Sequence, residues 1–326
     1  MLLAGDVGGT KTLVGLFAGG DERPAPVDIR SYRTRDFSSL TDLLRRFLED
    51  ARTSPRTVRS ACLGVAGPII GSRAQLTNVP WAVDASEICS DLSIPHADLL
   101  NDLEAMAWSV PVLRDDELIR LRDGEGAARS SGGAALIAAG TGLGIAVLPR
   151  IDGHLIPRPS EGGHSDFAPR TEDEQKLLRE LTRTRGRAEL EQILSGPGLV
   201  NIQRLVYPHE CAALSGDVDP RELPGRITKA GLESGCVDCR KTLELFVSVY
   251  GATAGNLALI TLATAGVYLG GGIAPKILPA LRWPMFNDAF CAKAPMGGLM
   301  RAIPVSVILN PQAGLVGAAT FAARGD

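Results

Sequence analysis

Two short apolar runs, Met1 to Ala4 and Leu13 to Phe17, flank the turn Gly5-Asp6-Val7-Gly8-Gly9-Thr10-Lys11-Thr12. Apolar runs on both sides of a glycine pair predict a β-hairpin. Leu40, Leu43, Leu44, Phe47 and Leu48 recur at helical spacing and predict a helix within 40–54. Residues 58–66 predict a buried strand that stops at Gly67-Pro68, and Gln75 to Trp81 a polar turn with an aromatic anchor. A helix is expected from Asp84 to Leu92. Leu99-Leu100 then lead into Asn101-Asp102 and a helix-forming run, so a strand should end at that pair with a helix just behind it.

Residues 114–133 are charged, then rich in glycine and small residues, and read as a surface excursion. Ala134 to Leu148 repeats the opening unit in kind, with Gly140-Thr141-Gly142 between two apolar runs. Two such units suggest a duplicated domain whose turns converge on one ligand. A charged helix is expected over 171–194, with Ser195-Gly196-Pro197-Gly198 as its stop signal. Arg240 to Ala265 predicts a long apolar helix. Gly266 to Ala274 predicts a strand and a third glycine turn, residues 304–309 a late strand, and Ala313 to Ala323 a closing helix.

Length adds a soft expectation of two domains for 326 residues. The net charge of −3 comes without any Lys/Arg-rich block, which excludes a nucleic-acid partner or an anionic membrane surface. No charged residue falls between Phe246 and Lys276, but glycines and threonines interrupt that stretch. A buried helix followed by a buried strand fits it better than a membrane span. Asp6 comes too early for a signal peptide. The six cysteines are scattered, and reduced thiols are expected. Cys236 and Cys239 have zinc-ligand spacing without a second pair nearby, so two ordinary cysteines is the simpler reading.

Candidate chemistry gathers at the predicted turns. A carboxylate at a strand end, before a helix, can hold a hydroxyl and take its proton. Asp102 stands there, and helix N-capping is its alternative role. Gly8-Gly9-Thr10-Lys11 offers backbone N–H groups and a cation to phosphate, with Asp6 placed to hold a Mg²⁺-bound water. The spacing is neither that of the P-loop nor that of the dinucleotide fingerprint, and a tight hairpin alone also calls for glycine. Glu161-Gly162-Gly163-His164 combines an acceptor and a donor suited to sugar hydroxyls. Glu191 is by default a solvated helix residue. Gly270-Gly271-Gly272 would let a flat purine lie against the backbone.

Together these segments resemble the bacterial-type glucokinases, within the sugar kinase, Hsp70 and actin superfamily. The resemblance runs almost end to end: GDVGGTKT (5–12), LTNVPW (76–81), LLNDLEA (99–105), AAGTGLGIAV (138–147), EGGHSDFAP (161–169), EQILSGPGLVN (191–201) and GVYLGGGIAPKIL (266–278). It implies an α/β protein of two lobes, each with a ribonuclease H-like mixed sheet. The small lobe would hold 1–109 plus 313–326 and the large lobe 110–312. It implies phosphorylation of glucose at the 6-hydroxyl by ATP with Mg²⁺, in the cytoplasm, with a homodimer left open. Gly5, Asp6, Val7, Gly8, Gly9 and Thr10 would form the first phosphate loop, and Gly140, Thr141 and Gly142 the second. Gly270, Gly271 and Gly272 would lie by the adenosine. Asn78, Asn101, Asp102, Glu161, His164 and Glu191 would hold the sugar, with Asp102 the general base. The related ROK-type kinases carry clustered cysteines soon after the histidine; here none follows His164 until Cys211. No tightly bound zinc is therefore expected, only Mg²⁺ brought by ATP with Asp6 as an outer-shell ligand. Kinases of another hexose or an amino sugar remain open, as does a catalytically silent sugar sensor.

Overall fold

The structure is a computed structural model of the 326-residue chain, and it describes residues 1–20, 23–76, 79–124, 132–208, 211, 214–216, 218–233 and 235–324. Asn78 lies outside the described residues. The chain divides into two compact units: Met1–Asp115 with Ile156–Pro159 and Asn310–Asp326, and Asp116–Leu155 with Ser160–Leu309. This differs from the expected division at three places. Residues 110–115 join the first unit because the turn Val110–Val112 continues the preceding helix. Residues 310–312 join it because Asn310 Oδ1 accepts from the Gln312 N–H and so opens the closing helix. Ile156 packs against the core beneath that helix.

The first unit begins with the expected hairpin, β1 (Leu2–Val7) and β2 (Lys11–Ala18), which β3 (Ala25–Arg33) extends. α1 (Leu40–Asp50) starts at Ser39, whose hydroxyl accepts from the Asp42 N–H, and buries its five apolar residues. β4 (Ser60–Val65) is buried throughout. Three short strands follow, β5 (Ile69–Ile70), β6 (Arg73–Gln75) and β7 (Ala82–Asp84), with Trp81 buried as the anchor. Asp84 caps α2 (Ala85–Leu92), and β8 (Ala97–Asn101) runs directly into α3 (Asp102–Ser109). The sheet order is β3-β2-β1-β4-β8, with β1 antiparallel to β2 and parallel to β4, and β4 parallel to β8. One face packs on α1 and α2. The other packs on α3 and the closing helix, Ala313–Ala322, where Trp108 meets Phe321 edge to face at 5.2 Å.

The second unit opens with a strand in the expected excursion. β9 (Leu118–Arg122) alternates apolar and basic residues and pairs antiparallel as an edge strand, where charge on the open face is tolerated. β10 (Ala134–Ala139) and β11 (Leu143–Leu148) form the second hairpin. The small hairpin β12 (Arg150–Ile151) and β13 (His154–Leu155) follows, then the strand β14 (Arg158–Ser160), of which only Ser160 is counted in this unit. α4 (Glu172–Arg185) is shorter than expected, because Gly186 at φ 83° closes it in the left-handed region. The expected stop signal is instead a start: Ser195 accepts from the Gly198 N–H and Pro197 lies in the first turn of α5 (Gly196–Leu205). α6 (Leu223–Glu233) and α7 (Val237–Thr261) come next. Among the described residues α7 alone is long and apolar enough to cross a membrane by length and composition. It buries Leu243, Phe246, Val247, Tyr250, Ala254 and Ala258 in the core of this unit, as a core helix does. After β15 (Gly266–Gly270) come α8 (Leu278–Leu281), α9 (Pro284–Cys291), α10 (Gly297–Ala302) and β16 (Val305–Ile308).

The order β14-β11-β10-β15-β16-β9 carries the duplication seen in the sequence. In each unit an antiparallel hairpin is followed by two strands parallel to its first: β1/β2 with β4 and β8, β10/β11 with β15 and β16. Both units are mixed α/β sheets, as expected.

Candidate active site

In the first unit the carboxyl ends of three parallel strands are level. Val7 pairs with Val65, and Val65 with Asn101, so the turn after β1 and the start of α3 share one sheet edge. The turn is closed by Gly8 N–H donating to Lys11 O at 3.1 Å. Thr34 fastens it from the β3 side: its hydroxyl donates to Gly8 O at 2.7 Å and its N–H to Thr10 O at 3.1 Å. Gly8, Gly9 and Thr10 are thereby held with their backbone at the strand ends, and Gly5 and Val7 lie within β1 itself.

Asn101 shares the start of α3 with Asp102. Its Oδ1 accepts from the Leu103 N–H at 2.9 Å, and Asn101 is the N-cap of α3. Asp102 is the first helical residue, with Oδ1 2.8 Å from the same N–H. Asp102 is exposed as a residue, yet desolvation by the surrounding protein raises its pKa above the ordinary value against the pull of backbone N–H groups. Asp6, on β1, is half-buried, and its carboxylate lies against Gly314. Burial, then the Asp102 charge, push the Asp6 pKa from 3.8 to about 6.

In the second unit the other two glycine turns are neighbours. Ala138 pairs with Gly270, so Gly140-Thr141-Gly142 follows β10 beside the turn that follows β15. Gly271 has φ 80°, and a Cβ there would stand 2.3 Å from Ala139 O. Only glycine meets both conditions. The Gly140–Gly142 turn closes on itself, Gly140 N–H to Gly142 O at 2.9 Å, and the first N–H of α5 donates to Gly140 O at 2.8 Å.

Glu191 is not a solvated helix residue. It lies in the one-turn 3₁₀ segment Leu190–Gln192, and its Oε2 accepts from the Leu143 N–H at 2.9 Å. A Cβ on Gly142 would stand 2.6 Å from that oxygen, so glycine makes room for the carboxylate. His164, in the turn Gly162–His164, brings Nδ1 to 3.3 Å from Glu189 and Nε2 to 3.9 Å from Glu161. His164, Glu189 and Glu191 each have a ligand atom within 4.8 Å of the others. Glu189 went unnoticed in the sequence. Burial raises its pKa, but hydrogen bonds from Arg187 and His164 outweigh that and leave it below the ordinary value. The Glu189 carboxylate is placed to accept a hydrogen bond from Nδ1–H, which in a neutral imidazole leaves Nε2 as the acceptor.

A sequence profile of the glucokinase family matches residues 3–325. The chain belongs to the glucokinase family. It is 39% identical to the glucokinase of Nostoc punctiforme over 99% of both chains, and 38% identical to that of Mesorhizobium japonicum over 98% of this chain and 91% of the relative. The crystal structure of a glucokinase from an Antarctic psychrotroph superposes with a TM-score of 0.85 at 28% identity, covering 98% of each chain.

Two expectations follow for this glucokinase-family chain. The first is a cost of Asp6 to the fold. Its folded pKa of about 6 exceeds the ordinary 3.8, so its favourable contribution is complete below the lower value and is lost as pH rises through the upper one. Asp6→Asn should therefore be more stable than the parent by ~2–3 kcal/mol at about pH 8, and equal to it near about pH 4. Urea unfolding at both pH values checks this; equal stability at the higher pH would refute it. The second is that Gly271→Ala, strained by ~1–3 kcal/mol, should weaken nucleotide binding by about 10–100-fold while leaving glucose binding within about twofold. Unchanged nucleotide affinity by calorimetry would detach Gly271 from the adenosine.

Proposed function

We propose that the chain transfers the γ-phosphoryl group of ATP to the 6-hydroxyl of D-glucose, giving glucose 6-phosphate and ADP. One observation carries the mechanism: Asn101 is the N-cap of α3, so the helix start does not depend on Asp102 alone, and desolvation makes the Asp102 carboxylate beside it more basic. Asp102 accepts the proton of the 6-hydroxyl as that oxygen bonds to phosphorus and the bond to the ADP oxygen breaks. Asn101 orients the hydroxyl. The turns at Gly8–Thr10 and Gly140–Gly142 serve the phosphates with backbone N–H groups other than those of Gly8 and Gly140, which close the turns; the transfer needs positioning and charge stabilisation more than covalent help. Gly270 to Gly272 lie by the adenosine.

Glu161, His164 and Glu191 hold the sugar's remaining hydroxyls, the His164 nitrogen positioned by Glu189. Asn78 belongs to the same proposal by sequence. Mg²⁺, carried by ATP, supplies charge neutralisation. The half-buried Asp6 carboxylate beside the first turn suits a water of its outer shell. The six cysteines are free, which suits the reducing cytoplasm.

A sugar panel in a coupled ADP-release assay tests the reading. Glucose should give the highest kcat/KM, and galactose should fall below it by about 10²-fold or more, because an inverted hydroxyl leaves polar partners in the closed site unpaired. Faster turnover of another hexose or an amino sugar would move the assignment to that sugar. ADP release absent with every sugar would favour a sensor.

A further inference from the structure

Cys211, Cys236 and Cys239 are brought to one point by separate parts of the second unit. The Sγ of Cys211 lies 3.1 Å from that of Cys236 and 3.6 Å from that of Cys239. All three sulfurs fall within 4.8 Å of one another. Cys236 is the N-cap residue of α7 and Cys239 sits in its first turn. Cys211 arrives from 25 residues upstream, at the end of the segment that follows α5, where its carbonyl accepts from the Leu214 N–H at 2.8 Å. Ile227 and Ala230 of α6 pack around the cluster. The pair therefore has the third cysteine that its sequence neighbourhood lacks.

We propose that these three cysteines form a zinc site that ties the segment at Cys211 to the start of α7. Zinc takes thiolates at ~2.3 Å in a tetrahedron, which sets sulfurs ~3.8 Å apart. The observed separations need only small adjustments to reach that. A disulfide would engage two sulfurs and give the third no reason to be there; a metal uses all three. The fourth position falls to a nitrogen or oxygen donor.

The surroundings agree with the geometry. Cys211 and Cys239 are buried and Cys236 is half-buried, so the three sulfurs face one another in a largely closed pocket. A divalent ion displaces the thiol protons and neutralises the charge that an apolar pocket would otherwise exclude. The bond from Cys211 to Cys239 closes a span of 28 residues containing α6, which restrains that helix. The proposal departs from the expectation of no tightly bound zinc, which rested on the absence of any cysteine between His164 and Cys211.

The test uses the full chain, purified under reducing conditions without chelator from zinc-supplemented cells. Elemental analysis should find about one zinc per chain. Cys211→Ser and Cys236→Ser should fall to background, while Cys89→Ser, on α2, should keep the metal. Cobalt(II) loading of the parent should give the thiolate-to-metal absorption of three sulfur ligands, and X-ray absorption should count three sulfurs and one lighter donor. Zinc should also shield these cysteines, and not Cys89, from alkylation, with a chelator exposing them. The alkylation and cobalt measurements need no variant, so poorly folding serine variants do not weaken the test. Background zinc with no cobalt uptake, zinc retained in Cys211→Ser, or a disulfide between any two of the three would each overturn the proposal.

Discussion

Asp102→Asn is expected to lower kcat by about 10²–10⁴-fold while KM for glucose and ATP stays within about threefold. The change is nearly isosteric and removes a base without removing a cap. Asn101 carries the helix N-cap, so α3 keeps its first hydrogen bond to Leu103. The loss of a negative charge from the first turn costs about 0.3–1 kcal/mol of helix-dipole interaction. Relief from desolvating a carboxylate whose pKa is already raised offsets part of that. Stability should thus stay within about 1 kcal/mol of the parent, and the effect should be confined to the chemical step. Because the proposed role requires Asp102 in its ionised form, parental kcat should fall as pH drops through its raised pKa, and the variant should lose that limb. A variant that keeps more than about a tenth of the activity would leave Asp102 as a helix residue only, and the proton would need another acceptor.

The elements that could be read in the sequence are those whose burial pattern is local. The hairpins around Gly8 and Gly140 have apolar runs on both sides, and α1 shows its stripe of leucines and Phe47 without reference to any partner. β9 escaped because an edge strand carries Arg120 and Arg122 where a central strand carries apolar residues. Ser195-Gly196-Pro197 was ambiguous in principle, since glycine and proline mark helix starts and stops alike. The outcome depends on whether Ser195 reaches forward to Gly198, which only the fold decides. At the site, Asp102, His164 and the glycine turns stood out because their chemistry is carried by short motifs. Glu189 did not, because its relation to His164 comes from the bridge that pairs Asp166 with Glu189. Cys211 was hidden for the same reason: its partners lie beyond a whole helix.

Glu191→Ala is expected to lower kcat/KM for glucose by about 10²–10³-fold and to raise the KM for ATP as well. The double effect follows from where the carboxylate is held. One oxygen of Glu191 accepts from Leu143 N–H at 2.9 Å, immediately after the Gly140–Gly142 turn, and fills the space that Gly142 leaves. The carboxylate itself stands among His164 and Glu189, in the proposed hydroxyl-binding group. Truncation leaves the N–H of a nearly buried Leu143 without that acceptor, at ~1–3 kcal/mol, and opens a gap beneath the turn. It also removes the proposed charged hydrogen bond to the sugar, worth ~1.5–3 kcal/mol. At 1.4 kcal/mol per decade the two losses span the stated range, since they are coupled and do not add fully. Glu191→Gln separates them. Its amide oxygen still accepts from Leu143 N–H, so the KM for ATP should return to within about twofold of the parent, while the glucose defect persists at about tenfold or more. Steady-state kinetics with each substrate varied in turn reads both. An alanine variant that keeps more than about a third of kcat/KM would remove Glu191 from the sugar site, and a glutamine variant still defective for ATP would show that the carboxylate's charge, not its hold on Leu143, sets the turn.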